Sequence, residues 1–448
     1  MNVDESSKSE KTITIIGDSP LQNVPNSVSI KAQPIIATSN IDRIPEYENL
    51  GTVIYIWGDN PANKSSAQIT HDYWNPTIYK SLSNVKILDV SCSDSHIIFL
   101  TCFHTVYTVG RGEYGQLGLG KNIQHVSEPT LVQGLNNIKQ IACGSFHSIV
   151  LAENGKIYSW GRNDFSGHSK GYATFTPQEI LTDSTDTIGG LICKCIAASD
   201  MQTIVACDGG TTLYIWGKYF NGEKIPSPKL FYSFTHDSTK EIKVGKYFAL
   251  ILTETGNVFS CGDSTYGEIP GNSGSVHSIL IPTQLRNSQF KDIVKIAVGH
   301  RHALLVDKHF RVWSFGGNIY GQCGTAPAHH IPPTLIDFNE SRFKIRDIYC
   351  GPRHSACINH GNQLYTWGHS SCHKLIFTAS VDILIQQQRQ PGVSINSGFK
   401  NCCNQPRLIY SMLHEKITCV GLGPDYTVVI SGDGDYTPVV REKLHTQD

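Results

Sequence analysis

Short runs of β-branched and aromatic residues, each closed by a glycine, recur along the chain. They are IYIWG ending at Gly58, VYTVG at Gly110, IYSWG at Gly161, LYIWG at Gly217, VFSCG at Gly262, VWSFG at Gly316 and LYTWG at Gly368. The steps between these glycines are 52, 51, 56, 45, 54 and 52 residues, so one phase holds over most of the sequence. A second apolar run precedes six of the copies and opens on a four-residue anchor. The anchors are SDSH ending at His96, GSFH at His147, SDMQ at Gln202, GKYF at Phe248, GHRH at His302 and GPRH at His354. From the anchor's fourth residue to the strand-end glycine is 14 residues in five copies and 15 in the sixth. Between the two runs lies a turn, at Asn154-Gly155, Thr255-Gly256 and His360-Gly361. Two β-rich runs around such a turn predict an antiparallel hairpin.

The stretch after each strand-end glycine often carries a second glycine motif: EYGQLGLG from Glu113, TYGE from Thr265, IYGQCG from Ile319. A proline then opens another run, at Pro129, Pro177, Pro228, Pro282, Pro332 and Pro406. Proline is tolerated on an edge strand, where its missing N–H costs no ladder bond. Each repeat is therefore expected to form a four-stranded sheet, and radial repetition of such sheets makes a β-propeller. Seven copies predict an all-β, seven-bladed ring. The first glycine run (residues 51–58) has no anchor before it, and the last anchor, GPDY ending at Tyr426, has no glycine run after it. The two halves should complete one blade, with the N-terminal strand closing the C-terminal sheet. The propeller is expected over residues 46–435. Residues 1–45 read as a polar, flexible arm, 369–405 as an insertion in the last blade, and 436–448 as a tail.

Charge narrows the functions open to such a ring. Charged residues make up 17% and the net charge is −1. A duplex-binding surface normally leaves a basic surplus, so nucleic acid or chromatin is not expected as the main partner. No run of 18 apolar residues exists, and the N-terminus has neither the signal-peptide nor the Arg-rich transit pattern. The expected setting is nuclear or cytoplasmic, with no membrane association and the chain a monomer. In that setting the 14 cysteines read as reduced thiols packed as small hydrophobes.

The segments CGSFHS (Cys143–Ser148), IYSWGRN (Ile157–Asn163) and EYGQLGLG resemble the repeats of the regulator of chromosome condensation family. The resemblance covers about residues 51–431 and implies the propeller fold. The founding member is a guanine nucleotide exchange factor for the small GTPase Ran, and others act as scaffolds or modules. The aromatic Phe248 in the fourth anchor and the His-rich fifth anchor are similar to the Ran exchange factor. In that protein the second and third repeats carry acids that contact Ran; the matching positions here are Ser145 and Asp200. Its wedge loop corresponds to Arg162–Tyr172, which makes Asn163, Asp164, Phe165 and His168 candidates to press on a GTPase. Asp200, His300 and His302 are further contact candidates. The basic tail of the Ran exchange factor has no counterpart here, nor does the tryptophan cluster of a plant UV-B photoreceptor with the same fold.

Other chemistry is weakly signalled. Gly110–Gly115 fits a G-x-G-x-x-G pattern, but the glycines after it oppose the helix that dinucleotide binding needs. Cys143/His147 and Cys350/His354 have an i, i+4 spacing, yet on a strand that separates them by about 13 Å. Cys193/Cys195 and Cys402/Cys403 are too close for paired zinc ligands. No metal or cofactor is expected. His96, His147 and His354, with Trp57, Trp160, Trp216 and Trp367, read as structural repeat residues, each buried histidine ring bonding a neighbouring blade's backbone. Two functions remain: nucleotide exchange on a Ran-like small GTPase, or non-catalytic scaffolding of another protein.

Overall fold

The structure is a computed structural model, and it describes residues 52–62, 76–180, 192–270, 278–285, 290, 292–338, 344–371, 374–376 and 402–432. The expected arm, most of the insertion and the expected tail lie outside them.

Seven antiparallel four-stranded sheets are formed. Blade 1 runs Ile87–Cys92, His96–Thr101, Val106–Arg111 and His125–Leu131, in that order from its inner to its outer edge. Blades 2 to 6 repeat the plan, with innermost strands Cys193–Ala198 in blade 3 and Ile345–Cys350 in blade 6 and, in the other three, Ile138–Cys143, Thr239–Val244 and Ile293–Val298. Blade 7 joins both ends of the described chain. Ile417–Leu422 and Tyr426–Gly432 are followed in the sheet by Thr52–Gly58 and the short strand Thr77–Ile78. Seven register pairs, from Thr52↔Gly432 to Gly58↔Tyr426, hold the N-terminal strand there. The seven innermost strands line a central channel.

The hydrophobic pattern follows from position in the sheet. Each second strand is buried along its whole length, as in HIIFLT of blade 1 and FALILT of blade 4. It sits inside its own sheet and under a neighbouring blade on both faces, so it reads as an unbroken apolar run. The core is accordingly a set of layers between blades. Ile98, Leu100 and Val106 of blade 1 pack on Ile141, Val150 and Trp160 of blade 2.

Three local expectations change. In the turns only Gly155 and Gly256 take the left-handed conformation, not the residues before them, and in blade 6 it is Asn362 rather than Gly361. The prolines do not open the outer strands. They sit inside them, where pairing lapses after Val126↔Gly110 and resumes at Thr130↔Thr108 beside Pro129. A residue without an N–H fits such a gap. Finally, not every cysteine is a reduced thiol. Cys193 and Cys207 face each other across the first two strands of blade 3 and are joined as a disulfide. The other described cysteines are free, and burial pushes the Cys143 and Cys195 thiols up to about 12.

The composite blade makes a ring-wide prediction. Deleting residues 52–58 exposes the buried strand Tyr426–Gly432 and unzips the last sheet. Circular dichroism melting should show loss of the single cooperative transition; an unchanged transition would mean that the ring closes without this strand.

Candidate protein-binding face at the channel mouth

The anchor tetrapeptides form the turns between first and second strands, all on one face, here called the upper face. Their fourth residues point inward and link blades. His96 Nε2 meets Ser148 Oγ of blade 2 at 2.6 Å, and that hydroxyl donates to the Gln116 carbonyl at 2.9 Å. The hydroxyl's proton is thereby committed, so His96 carries its own proton on Nε2 and donates. His302 repeats the relay to Ser355 Oγ (2.9 Å) and the Gln322 carbonyl (2.8 Å). His147 meets Thr203 Oγ1 at 2.8 Å and His354 meets Thr427 Oγ1 at 3.3 Å. The ring therefore bonds a neighbour's side-chain hydroxyl, not its backbone as the repeat suggests. Backbone is the target where histidine is replaced: Gln202 donates to the Gly245 carbonyl and the Tyr426 hydroxyl to the Ser93 carbonyl. Phe248 packs without a polar link, fully buried.

The tryptophans close the same layer. Trp160 and Trp367 Nε1 donate to the Gln116 and Gln322 carbonyls at 2.8 and 2.9 Å. Trp57 and Trp216 are equally buried, but their Nε1 atoms have no partner among the described residues. The anchor's first residue must be small. A Cβ on Gly144 would lie 2.2 Å from the Ser199 carbonyl oxygen and 2.4 Å from His147 Cε1. In blade 1 this place is held by Ser93, whose hydroxyl lies 3.0 Å from His96 Nδ1.

The second anchor residues face the channel. Asp94, Asp200, Lys246, His300, Pro352 and Pro424 line its mouth, around a cavity of about 240 Å³. Asp200 has Lys246 Nζ at 3.2 Å and His300 Nε2 at 3.7 Å. Burial works against the Asp200 carboxylate, but the hydrogen bonds and charges of His300 and Lys246 outweigh it and hold its carboxyl below the usual range. Asp94 is the opposite case. Burial pushes its carboxyl up, the Asp200 charge adds to this, and Oδ1 has no hydrogen-bond partner among the described residues. Asp94 and Lys246 were missed in the sequence, although both stand at the anchor position that Asp200 and His300 mark.

The expected wedge loop is folded onto the ring. Asn163–Ser166 forms one helical turn with Asn163 and Phe165 buried. Asn163 accepts from Thr174 Oγ1 at 2.8 Å and donates to the Lys170 carbonyl. Asn318, the same residue in blade 5, likewise bonds its own loop at Ala326 and Cys323. His168 Nε2 lies 3.0 Å from Ser159 Oγ. These three candidates hold the loop and do not project from it, and His302 is sealed in the relay. Asp164 stays at the surface, bonded to Arg162 at 2.8 Å. Tyr172, 64% exposed, projects from the loop. Tyr114, Phe165 and Tyr172 surround the Arg162 guanidinium at 5.3–5.9 Å.

A second arginine cluster shows how the repeat absorbs a charge. In blades 1 and 5 the Tyr-Gly-Gln loop folds on its own glutamine, whose Oε1 accepts from the Tyr114 and Tyr320 amides at 2.9 Å. In blade 4 the residue is Glu268, fully buried, accepting from the Tyr266 amide at 2.6 Å. Arg301 from blade 5 answers it at 2.8 Å, clasped between the Tyr247 and Tyr266 rings at 3.7 and 4.2 Å. Burial still pushes the Glu268 carboxyl up, with Arg301 offsetting only part of it.

Two predictions follow from these contacts. Arg301→Ala strands a buried carboxylate and should cost about 3 kcal/mol. Adding Glu268→Gln, the residue of the other loops, should recover most of it; purely additive losses by chemical denaturation would exclude the pairing. The histidine relay makes the fold acid-sensitive. Burial holds His96, His147 and His302 down at about 3, against about 6.5 unfolded. Below pH 6.5 the unfolded chain binds more protons, so stability is full above that pH and falls progressively between 6.5 and 3. His147→Gln should lower the melting temperature at pH 7.5 yet flatten its fall toward pH 5. An undiminished acid slope would show that this histidine does not titrate on unfolding.

Comparisons with known proteins agree with this architecture. Regulator of chromosome condensation (RCC1) repeat profiles match residues 104–151, 255–306 and 311–358, and a second such profile matches 138–166 and 240–268. The ultraviolet-B receptor UVR8 of Arabidopsis thaliana is 26% identical over 342 residues, 74% of this chain and 76% of that protein. The human E3 ubiquitin-protein ligase HERC2 is 24% identical over 84% of this chain, which spans only 8% of HERC2. Among solved structures, Prp20p of Saccharomyces cerevisiae, which binds Gsp1p and histones, is 18% identical with a TM-score of 0.69 over 87% of this chain and 93% of that one. Human WBSCR16 gives 16% and 0.66, over 85% of this chain and 98% of that one. The chain carries regulator of chromosome condensation (RCC1) repeats, and their spacing agrees with the seven-bladed propeller.

Proposed function

We propose that the protein works by non-covalent docking of a protein partner on the upper face, around the mouth of the channel. The observation that carries this reading is the second-position ring. Asp200, with Lys246 and His300, is a fixed, half-buried charge cluster at the centre of a face whose rim presents Tyr172, Arg162 and Arg353. Charged and aromatic groups on a rigid frame are the usual anchors of a protein interface. The anchor histidines His96, His147, His302 and His354 are locked between blades, and among the described residues no group of three or more His, Cys, Asp or Glu is placed to hold a metal.

Nucleotide exchange on a Ran-like small GTPase is the second reading. Asp200 favours it, since the resemblance puts a GTPase-contacting acid at this place. The folded-down Asn163 and Phe165, and Ser145 in place of a second acid, weigh against a wedge mechanism. Exchange would require tighter binding to the nucleotide-free GTPase than to the loaded form, by the same factor that nucleotide is weakened.

Release of fluorescent GDP from a panel of small GTPases that includes Ran separates the two. Acceleration on one member, reduced at least about tenfold in Asp200→Ala, would make the upper face an exchange surface. Without acceleration, partners captured by the wild type should be lost with Asp200→Ala/Lys246→Glu. Identical capture by that variant would remove the upper face as the docking site.

A further inference from the structure

The opposite, lower rim of the channel carries its own chemistry. In all seven blades the innermost strand is bulged at its second residue. Pairing jumps from Ile138↔Ala152 to Gln140↔Leu151 in blade 2, from Cys193↔Cys207 to Cys195↔Ala206 in blade 3, and from Thr239↔Thr253 to Glu241↔Leu252 in blade 4. The same jump occurs in blades 1, 5, 6 and 7. A bulge leaves one residue out of the ladder and re-aims its side chain. The residues so released are Leu88, Lys139, Lys194, Lys240, Val294, Arg346 and Thr418. Four of the seven are basic, none is acidic, and three of the lysines lie on consecutive blades.

The neighbouring charges leave this arc positive. Lys194 is paired with Glu254 at 2.5 Å, and Arg346 is committed to Asp347 and the Ile417 carbonyl at 2.7 and 2.8 Å. Of the acids one residue further up the strand, Glu241 is engaged by Lys243 and Asp347 by Lys295, and the half-buried Asp89 accepts from the Val90 amide. Lys139 and Lys240 are exposed, and neither has a carboxylate in ion-pair range among the described residues. Among the described residues, Lys240 Nζ bonds the Val294 carbonyl of the next blade, at 3.3 Å. Because the chain as a whole carries −1, this local excess is a feature of the rim and not of general basicity.

We propose that the lower rim is a second interaction surface, on which Lys139 and Lys240 dock an acidic segment of a protein partner. Charge complementarity selects the occupant: exposed, uncompensated lysines on one rim suit side-chain carboxylates along an extended chain. The near-neutral chain lacks the broader basic field that a nucleic-acid backbone uses. The surface is independent of the upper face, so one ring could hold two proteins at once.

Fluorescence anisotropy with a labelled oligoglutamate peptide at physiological salt tests the assignment on the full chain. Binding is expected to weaken as salt is raised. Lys139→Glu/Lys240→Glu should reduce it at least about tenfold, with the melting temperature kept, because both side chains are exposed. Lys121→Glu, an exposed lysine of an upper-face loop, should leave it unchanged. No binding by the wild type, or equal losses in the Lys121 variant, would overturn the proposal. Tighter binding of a single-stranded oligonucleotide of matched charge would overturn the choice of partner.

Discussion

A propeller stands or falls by the contact between one blade and the next, since each sheet is too small to bury its own faces. Here that contact is made in every repeat by apolar side chains over most of the blade and, in every repeat but the fourth, also near the top by a polar link from a buried anchor residue. The relay is selective in a way that apolar packing is not. A histidine that donates from Nε2 needs a hydroxyl placed immediately after the next blade's own anchor, and the hydroxyls of Ser148 and Ser355 in turn need the Gln116 and Gln322 carbonyls. One interaction thus fixes three things: the register between blades, the protonation state of the ring, and the fold of the Tyr-Gly-Gln loop. A buried polar chain is costly unless every member is satisfied. The relay tolerates glutamine in blade 3 and tyrosine in blade 7 because both can still reach a neighbour's carbonyl.

The same logic explains why some of the architecture could be read directly and the candidate site less well. Strand-end glycines, buried second strands and the incomplete first and last copies are consequences of packing, which acts on every blade alike and so leaves a period. The proline positions differ from the expectation because the sequence shows where N–H groups are missing but not where pairing lapses. The Cys193–Cys207 disulfide depends on register across a hairpin, 14 residues apart, and composition does not reveal it. Among the contact candidates, Asn163 looked like a functional loop residue and is a repeat residue, as Asn318 shows. Asp94 and Lys246 are not legible in the sequence for the converse reason: they occupy a repeat position but follow no repeat chemistry.

That contrast gives a way to separate scaffold from site within each anchor. The first residue is bound to be small by the close approach of a carbonyl and a histidine ring. The fourth is bound to reach the next blade. The second and third are bound by neither, and they vary as Asp, Ser, Asp, Lys, His, Pro, Pro and as Ser, Phe, Met, Tyr, Arg, Arg, Asp around the ring. Glu268 and Arg301 mark the boundary between the two classes. A scaffold position acquired a charge, and a freely varying position of the next blade neutralised it, with two tyrosine rings holding the guanidinium in place.

The lower rim follows the same rule by a different device. There the constraint is released by a bulge, which takes the second residue of each inner strand out of the ladder and out of the inter-blade layer. Leu88, Val294 and Thr418 show that the bulge itself demands no charge, so the lysines of three consecutive blades are not explained by the fold. Both ends of the channel are therefore ringed by residues that packing leaves undetermined, the upper ring of mixed sign and the lower one basic. A rigid ring with two such ends suits a protein that brings different partners together.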